Sequence, residues 1–99
     1  MGRRRLRIPS ETAEMLRALH PNLRRKVKAA LQTILDDPRT GKSLKEELHG
    51  LRSFRVGKFR VIYLIPKEKD VIEIVAIGPR KTIYEETLSL VKKENENRG

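Results

Sequence analysis

Residues 54–63 read Phe-Arg-Val-Gly-Lys-Phe-Arg-Val-Ile-Tyr, two runs of alternating character on either side of Gly57-Lys58. Alternation with period two is the signature of a strand with one buried face. A two-residue Gly-X link between two such runs makes a β-hairpin, and glycine at its first position fits a type II′ turn. With Gly57-Lys58 as the loop, Val56 stands opposite Phe59 and Arg55 opposite Arg60. Phe54, Val56, Phe59, Val61 and Tyr63 then share the face that meets the core. Arg55 and Arg60 lie side by side on the other face, where like charges directly across a strand pair repel.

The rest of the fold is read outward from this hairpin. Residues 71–78, VIEIVAIG, follow the turn at Pro66–Asp70 and are almost continuously apolar, as an interior strand requires. Upstream, residues 39–50 read as an exposed connection with one possible helical turn. Before them, Leu23, Val27, Ala30, Leu31 and Ile34 form one stripe of a helix that starts at Pro21 or Asn22 and stops at Asp36-Asp37-Pro38. A shorter helix with Ala13, Leu16 and Leu19 on one face precedes it, with Ser10 as expected N-cap and His20-Pro21-Asn22 as the break. Residues 3–8 alternate charge with Leu6 and Ile8, which suits an edge strand. Residues 82–93 are helical in character, and 94–99 are expected to fray.

The expected fold class is therefore α+β. An N-terminal strand and an antiparallel helix hairpin pack with a twisted, mostly antiparallel four-stranded sheet, and a short C-terminal helix closes a single domain over residues 1–99. The helix hairpin leaves one face of the sheet uncovered.

Composition narrows the function. A chain of 99 residues hides roughly 65% of its unfolded surface on folding, enough for a thin core but not for a deep enclosed pocket. The absence of cysteine excludes disulfides, thiolate metal sites and thiol nucleophiles. No apolar run approaches the ~20 residues that span a bilayer, and the basic start lacks the apolar stretch of a secretory signal. These features point to a cytoplasmic protein. The net charge of +10, with Arg3, Arg4, Arg5 and Arg7 unbalanced by any acid in the first nine residues, favours a polyanionic partner.

The arginines carry the sharpest expectation. Arg80 follows the interior strand, and its even number puts it in phase with Ile72, Ile74 and Ala76. Arg55, Arg60 and Arg80 on a shallow open face would hold a phosphate through bidentate bonds, unless Glu73, Glu85 or Glu86 neutralises them. Tyr84 lies one helical turn beyond Arg80 and can stack on a base, donate a proton or pack on the sheet edge. Glu46-x-x-His49 has the spacing of half a carboxylate-bridged metal site but lacks a second copy. His20 reads as a helix-boundary residue and His49 as a solvated loop residue.

The patterns L-x-G-L-x-S-F-R-V-G-K-F-R-V-I-Y over 48–63 and A-I-G-P-R-K-T-I-Y-E over 76–85 resemble the RelE/ParE superfamily of toxin–antitoxin toxins. Within it, the RelE-type messenger RNA interferases are most similar, particularly archaeal-like members. The similarity spans nearly the whole chain, and Arg80-Lys81-x-x-Tyr84 favours RelE over ParE. This resemblance implies a toxin that enters the ribosomal A site and cleaves the bound messenger without a metal or other cofactor. The ribose 2′-OH attacks the adjacent phosphate and leaves a cyclic phosphate and a free 5′-OH. By the same resemblance, Arg60 and Arg80 stabilise developing charge or help the leaving group, and Tyr84 orients the base. Arg55, Lys58, Lys81 and Arg52 are the accompanying substrate-binding candidates. Implied partners are a cognate antitoxin, the ribosome and messenger RNA, with no membrane and no small-molecule cofactor.

The chain departs from the pattern at one place. RelE members often carry lysines on the strand before the hairpin turn, one of them proposed as general base, and here Ser53 and Arg55 occupy those positions. Lys58, Lys81, His49 or a glutamate are the remaining bases. Two other readings follow: a ParE-like inhibitor of DNA gyrase without nuclease chemistry, and a non-catalytic basic RNA-binding domain.

Overall fold

A computed structural model describes residues 4–68 and 70–98. Its elements run β1 (Arg5–Arg7), α1 (Ser10–Ala18), α2 (Pro21–Asp36), β2 (Lys42–Ser43), a 3-10 turn (Glu46–Leu48), β3 (Leu51–Val56), β4 (Phe59–Leu64), β5 (Val71–Pro79) and α3 (Ile83–Arg98). One sheet contains the strands in the order β1-β5-β4-β3-β2. Its β1–β5 pair is parallel and the other three pairs are antiparallel.

The α+β architecture is the one expected, with a fifth strand in addition. Lys42 and Ser43 pair with Ser53 and Arg52 at the sheet edge. Two exposed polar residues are too few to show a period of two, so this strand was invisible in the connection. Two helix boundaries also differ. Ser10 does not cap α1: Pro9 takes the N-cap position with extended dihedrals, and its carbonyl accepts from the Ala13 N–H at 2.9 Å. Proline has no side-chain acceptor, so the helix starts there without a side-chain cap. At the other end, α3 is helical as far as Arg98, with no glycine or proline to interrupt it before residue 99, which lies outside the described residues. So does residue 3 of the expected N-terminal strand.

The hairpin register is the expected one. Val56 pairs with Phe59, and Arg55 pairs with Arg60. Gly57 has φ +58°, while Glu46 is the only described non-glycine residue with positive φ. Lys58 is therefore negative in φ, as a type II′ turn demands and a type I′ turn forbids. On the inner face Val27, Ala30, Leu31 and Ile34 of α2 bury against Val56, Val61, Tyr63, Ile72, Ile74 and Ile77, with Phe54 and Phe59 partly buried beside them. The outer face has a smaller cluster of Leu51, Ile62, Ala76 and Ile83, with Tyr84 and Val91 of α3 packed against it. Part of the face left uncovered by the helix hairpin is thus covered by α3.

A β-bulge explains how β5 serves both faces. Ile62 pairs with Ala76 but Tyr63 pairs with Ile74, so Val75 is an extra residue. An inserted residue reverses the alternation on its strand. Ile72 and Ile74 accordingly face α2, whereas Ala76 faces α3. The expected common phase of Ile72, Ile74, Ala76 and Arg80 does not hold: only Ala76 and Gly78 lie on Arg80's side of the bulge.

Tyr63 fastens the connection after α2 to the core. Its ring is 0% exposed, its hydroxyl donates to the Pro38 carbonyl at 2.7 Å, and the Gly41 N–H donates to it at 2.8 Å. A Cβ on Gly41 would lie 2.5 Å from that oxygen, so glycine is required there. Burial pushes the Tyr63 pKa up; the Gly41 bond and the Arg52 charge act less strongly downward, and Asp37 acts upward. Tyr63→Phe leaves two buried backbone groups without partners and should cost about 1–3 kcal/mol in denaturant unfolding. The wild-type contribution should be intact below the ordinary tyrosine pKa of about 10. It should be lost as pH rises from there through the higher folded-state value. Unfolding midpoints should consequently fall more steeply at alkaline pH for the wild type than for Tyr63→Phe.

Candidate functional site

Direct pairing across β3 and β4 puts Arg55 and Arg60 on the face opposite Phe54 and Val56. Neighbouring Cβ atoms in such a pair are about 4.5–5.5 Å apart, a destabilising distance for like charges. Among the described residues the ion pairs are Arg7 with Glu68 at 3.7 Å and with Glu73 at 4.0 Å, and neither involves Arg55, Arg60 or Arg80. Glu73 is taken up by Arg7, and Glu85 and Glu86 are exposed. The acids that could have neutralised the arginines do not reach them.

The two guanidiniums are held differently. Arg55 is exposed, and its Nε donates to the Gly57 carbonyl at 3.2 Å, which folds the side chain back along the turn. Arg60 is half-buried. Its Nη1 lies 3.5 Å from Ser53 Oγ, and its Nε is buried with no hydrogen-bond partner among the described residues. A buried donor left unpaired costs about 1–3 kcal/mol, more when charged. An oxyanion seated between the arginines would offset their repulsion.

The end of β5 delivers the remaining cations to the hairpin turn. Pro79 pairs with Phe59, and the Arg80 N–H donates to the Lys58 carbonyl at 2.7 Å. Arg80, Lys81 and Lys58 are all exposed around this junction. The chain then turns through a bond from the Thr82 N–H to the Pro79 carbonyl at 3.1 Å and enters α3. Ile83 seats α3 on Gly78, the residue paired with Arg60; a Cβ on Gly78 would be 3.0 Å from Ile83 Cδ1. This close approach brings the Tyr84 hydroxyl to 3.1 Å from Ser53 Oγ.

The structure therefore joins Arg60 and Tyr84 through Ser53, pairs Arg55 with Arg60 across the strands, and sets Arg80, Lys58 and Lys81 at the adjoining end of the sheet. It does not bring Arg52 to this group. Arg52 alternates with Ser53 and so lies on the α2 side, where Nη1 donates to the carbonyls of Gly41 at 2.6 Å and Arg39 at 3.2 Å. Its charge serves the connection fastened by Tyr63. Ser53, 2% exposed, joins the site without having been singled out as a binding residue. The signal was its place two residues before Arg55, on the same face of the strand, and a hydroxyl where a strand usually buries a hydrocarbon. His49 is exposed just after the 3-10 turn. Among the described residues no three His, Cys, Asp or Glu side chains gather as metal ligands. Nor is any described helix long and apolar enough to cross a membrane.

A cleft of about 520 Å3 lies elsewhere, between α1, β5 and α3. Glu11, Glu73, Glu86 and Glu94 line it beside Leu90 and Val91. Such a rim repels polyanions, so the shallow arginine face and not the cleft is the nucleic-acid candidate.

Residues 5–84 match the family described as the ParE toxin of the type II toxin–antitoxin system parDE. Toxin RelE of Mycobacterium tuberculosis is 40% identical over 52 residues, 52% of this chain and 54% of that protein, so the match spans about half of the curated relative's length. The toxin in a RelBE toxin–antitoxin complex from Mycobacterium tuberculosis superposes with TM-score 0.65 at 30% identity, over 76% of this chain and 95% of that one. A mutant of E. coli toxin RelE in the free state gives TM-score 0.73 at 21% identity over 95% and 98%, a likeness of fold.

The geometry predicts an anion-dependent gain in stability. Inorganic phosphate should raise the melting temperature of the wild type above that in chloride of equal ionic strength, by the linkage of binding to folding. The increment should shrink by more than half in Arg60→Ala. Arg55→Ala should unfold within about 0.5 kcal/mol of the wild type or slightly later, because an exposed repulsive charge is removed. Equal phosphate shifts in the wild type and Arg60→Ala would show that the anion binds elsewhere.

Proposed function

The chain belongs to the ParE toxin family of type II toxin–antitoxin systems, within the RelE/ParE superfamily, and from this membership we propose that it is a ribosome-dependent endoribonuclease. The supporting observation is the unneutralised Arg55–Arg60 pair with the buried, unpartnered Nε of Arg60. A phosphate of messenger RNA in the ribosomal A site would lie on these arginines. The ribose 2′-OH attacks that phosphate, the phosphate–O5′ bond breaks, and the products are a 2′,3′-cyclic phosphate and a 5′-OH. Guanidiniums aimed at the charge that develops on the phosphorane oxygens lower the barrier, each such donor being worth about 100–1000-fold in rate. Arg60 and Arg80 take this role, Tyr84 positions the adjoining base, and Arg55, Lys58 and Lys81 bind the backbone.

Arginine is a poor general base at neutral pH because it stays protonated. Proton removal from the 2′-OH therefore falls to a group other than Arg55 on the strand before the turn. The partner is a cognate antitoxin, as in the RelBE toxin–antitoxin complex, and the site of action is the cytoplasm. The match to the ParE family keeps a second reading, inhibition of DNA gyrase without RNA cleavage.

Induced expression of the wild type should arrest growth and generate new messenger 5′ ends inside translated codons. Arg60→Ala and Arg80→Ala should each remove the arrest and the new ends while the proteins remain folded by circular dichroism. Arrest with intact messenger and broken DNA would replace the ribonuclease reading with gyrase inhibition.

A further inference from the structure

Among the described residues, Ser53 and Thr87 are buried polar side chains besides Tyr63, whose hydroxyl is satisfied by two backbone groups. Thr87 is accounted for within α3, where Oγ1 donates to the Ile83 carbonyl at 2.7 Å. Ser53 makes no such backbone bond. Its Oγ lies 3.1 Å from the Tyr84 hydroxyl and 3.5 Å from Arg60 Nη1, between two residues of the proposed site that come from different elements. A buried hydroxyl costs stability relative to a hydrocarbon unless it is hydrogen-bonded. A strand favours β-branched or aromatic residues at such a position.

Either hydroxyl of the Ser53–Tyr84 pair can donate, and the donor inventory favours one direction. A guanidinium only donates, so Arg60 uses a lone pair of Ser53 Oγ. Among the described residues the other partner of Ser53 Oγ is Tyr84. If Tyr84 also donated, the Ser53 proton would be buried without an acceptor. The arrangement that satisfies every donor at Ser53 runs from Arg60 to Ser53 and from Ser53 to Tyr84. It leaves the phenolic hydrogen of half-buried Tyr84 free to point out of the cluster.

Resting on the ribonuclease reading above, we infer that Ser53 is a positioning residue that couples Arg60 to Tyr84 and turns the Tyr84 hydrogen toward the bound nucleotide. Successive donations polarise one another, so the guanidinium charge strengthens the outward hydrogen bond of Tyr84 without touching it. The same hydroxyl limits the swing of both side chains. Ser53 thereby has a task at a position where the resemblance would place a lysine, and that task is alignment rather than proton removal.

The chain has two tyrosines, so 13C-tyrosine labelling gives two sets of ring signals, assignable with Tyr84→Phe. In Ser53→Ala the Tyr84 ζ-carbon signal should shift while that of Tyr63 stays in place. Ser53→Cys, which keeps the volume but offers only a weak donor, should shift it in the same direction should the alanine variant be too unstable to study. On ribosome-bound messenger, Ser53→Ala should lower kcat on the order of tenfold with KM unchanged, the mark of an interaction used in the transition state. The double variant Ser53→Ala/Tyr84→Phe should be no slower than Tyr84→Phe alone, since residues acting as one unit do not add. An unmoved Tyr84 signal, or rate losses that multiply in the double variant, overturns the inference. A moved signal in a wild type without ribonuclease activity supports the Ser53–Tyr84 link and overturns the ribonuclease reading instead.

Discussion

The two-residue turn at Gly57-Lys58 is the constraint on which the remainder of the molecule depends. Side chains alternate strictly along a strand, so one more or one fewer residue in the turn would move β4 by one position against β3. Val61 and Tyr63 would then leave the core, and Arg60 would enter it. Gly57 makes the short link possible by adopting φ +58°, a conformation open to glycine at no steric cost. The same turn fixes the end of β5, because the Lys58 carbonyl receives the Arg80 N–H. One local geometry therefore sets both the apolar face that meets α2 and the relative placement of the cations.

The two faces of the sheet are held in unequal ways. On the α2 side, buried aliphatic residues interlock with Tyr63, whose hydroxyl is satisfied by two backbone groups. On the α3 side the apolar cluster is smaller and gives way toward the turn to a like-charged pair and an unpaired buried donor. Local conflicts of this kind persist only where surrounding structure outweighs them. Here the stronger face supports the weaker one through the shared strands. The cost is concentrated at the turn end of β3 and β4, where Arg55 and Arg60 stand directly opposite each other.

The hairpin, the α2 stripe and the Arg55–Arg60 juxtaposition were legible because each rests on a period marked by a change from apolar to charged. The bulge at Val75 was not, since VIEIVAIG is apolar on nearly every position and its phase goes unmarked. Strand β2 is too short to have a pattern, and Pro9 displaced the better capping residue Ser10 through a rigid φ that propensity does not weigh. Within the candidate site, Arg60, Arg55 and Tyr84 were visible as charge and aromaticity on one face. Arg52 was included for its charge although its even position pointed it toward α2. Ser53 was passed over as a site residue because a small hydroxyl has no conspicuous signature; only the docking of α3 on Gly78 gives it a partner.

The position of the carboxylates completes the electrostatic argument. Glu85 and Glu86 lie in the first turn of α3, where exposed N–H groups favour negative charge. A carboxylate oxygen of Glu86 would come within 3.5 Å of a Cβ on Gly78, the pairing partner of Arg60, yet no ion pair closes between them. These acids stabilise the start of the helix that brings in Tyr84, and Glu86 also faces the acid-rimmed cleft. Their charge is thus used at the helix end and along the cleft, not across the arginines. A net charge of +10 explains attraction to any polyanion. Carboxylates this close form no ion pair with Arg60 among the described residues, so its guanidinium charge is not neutralised from α3.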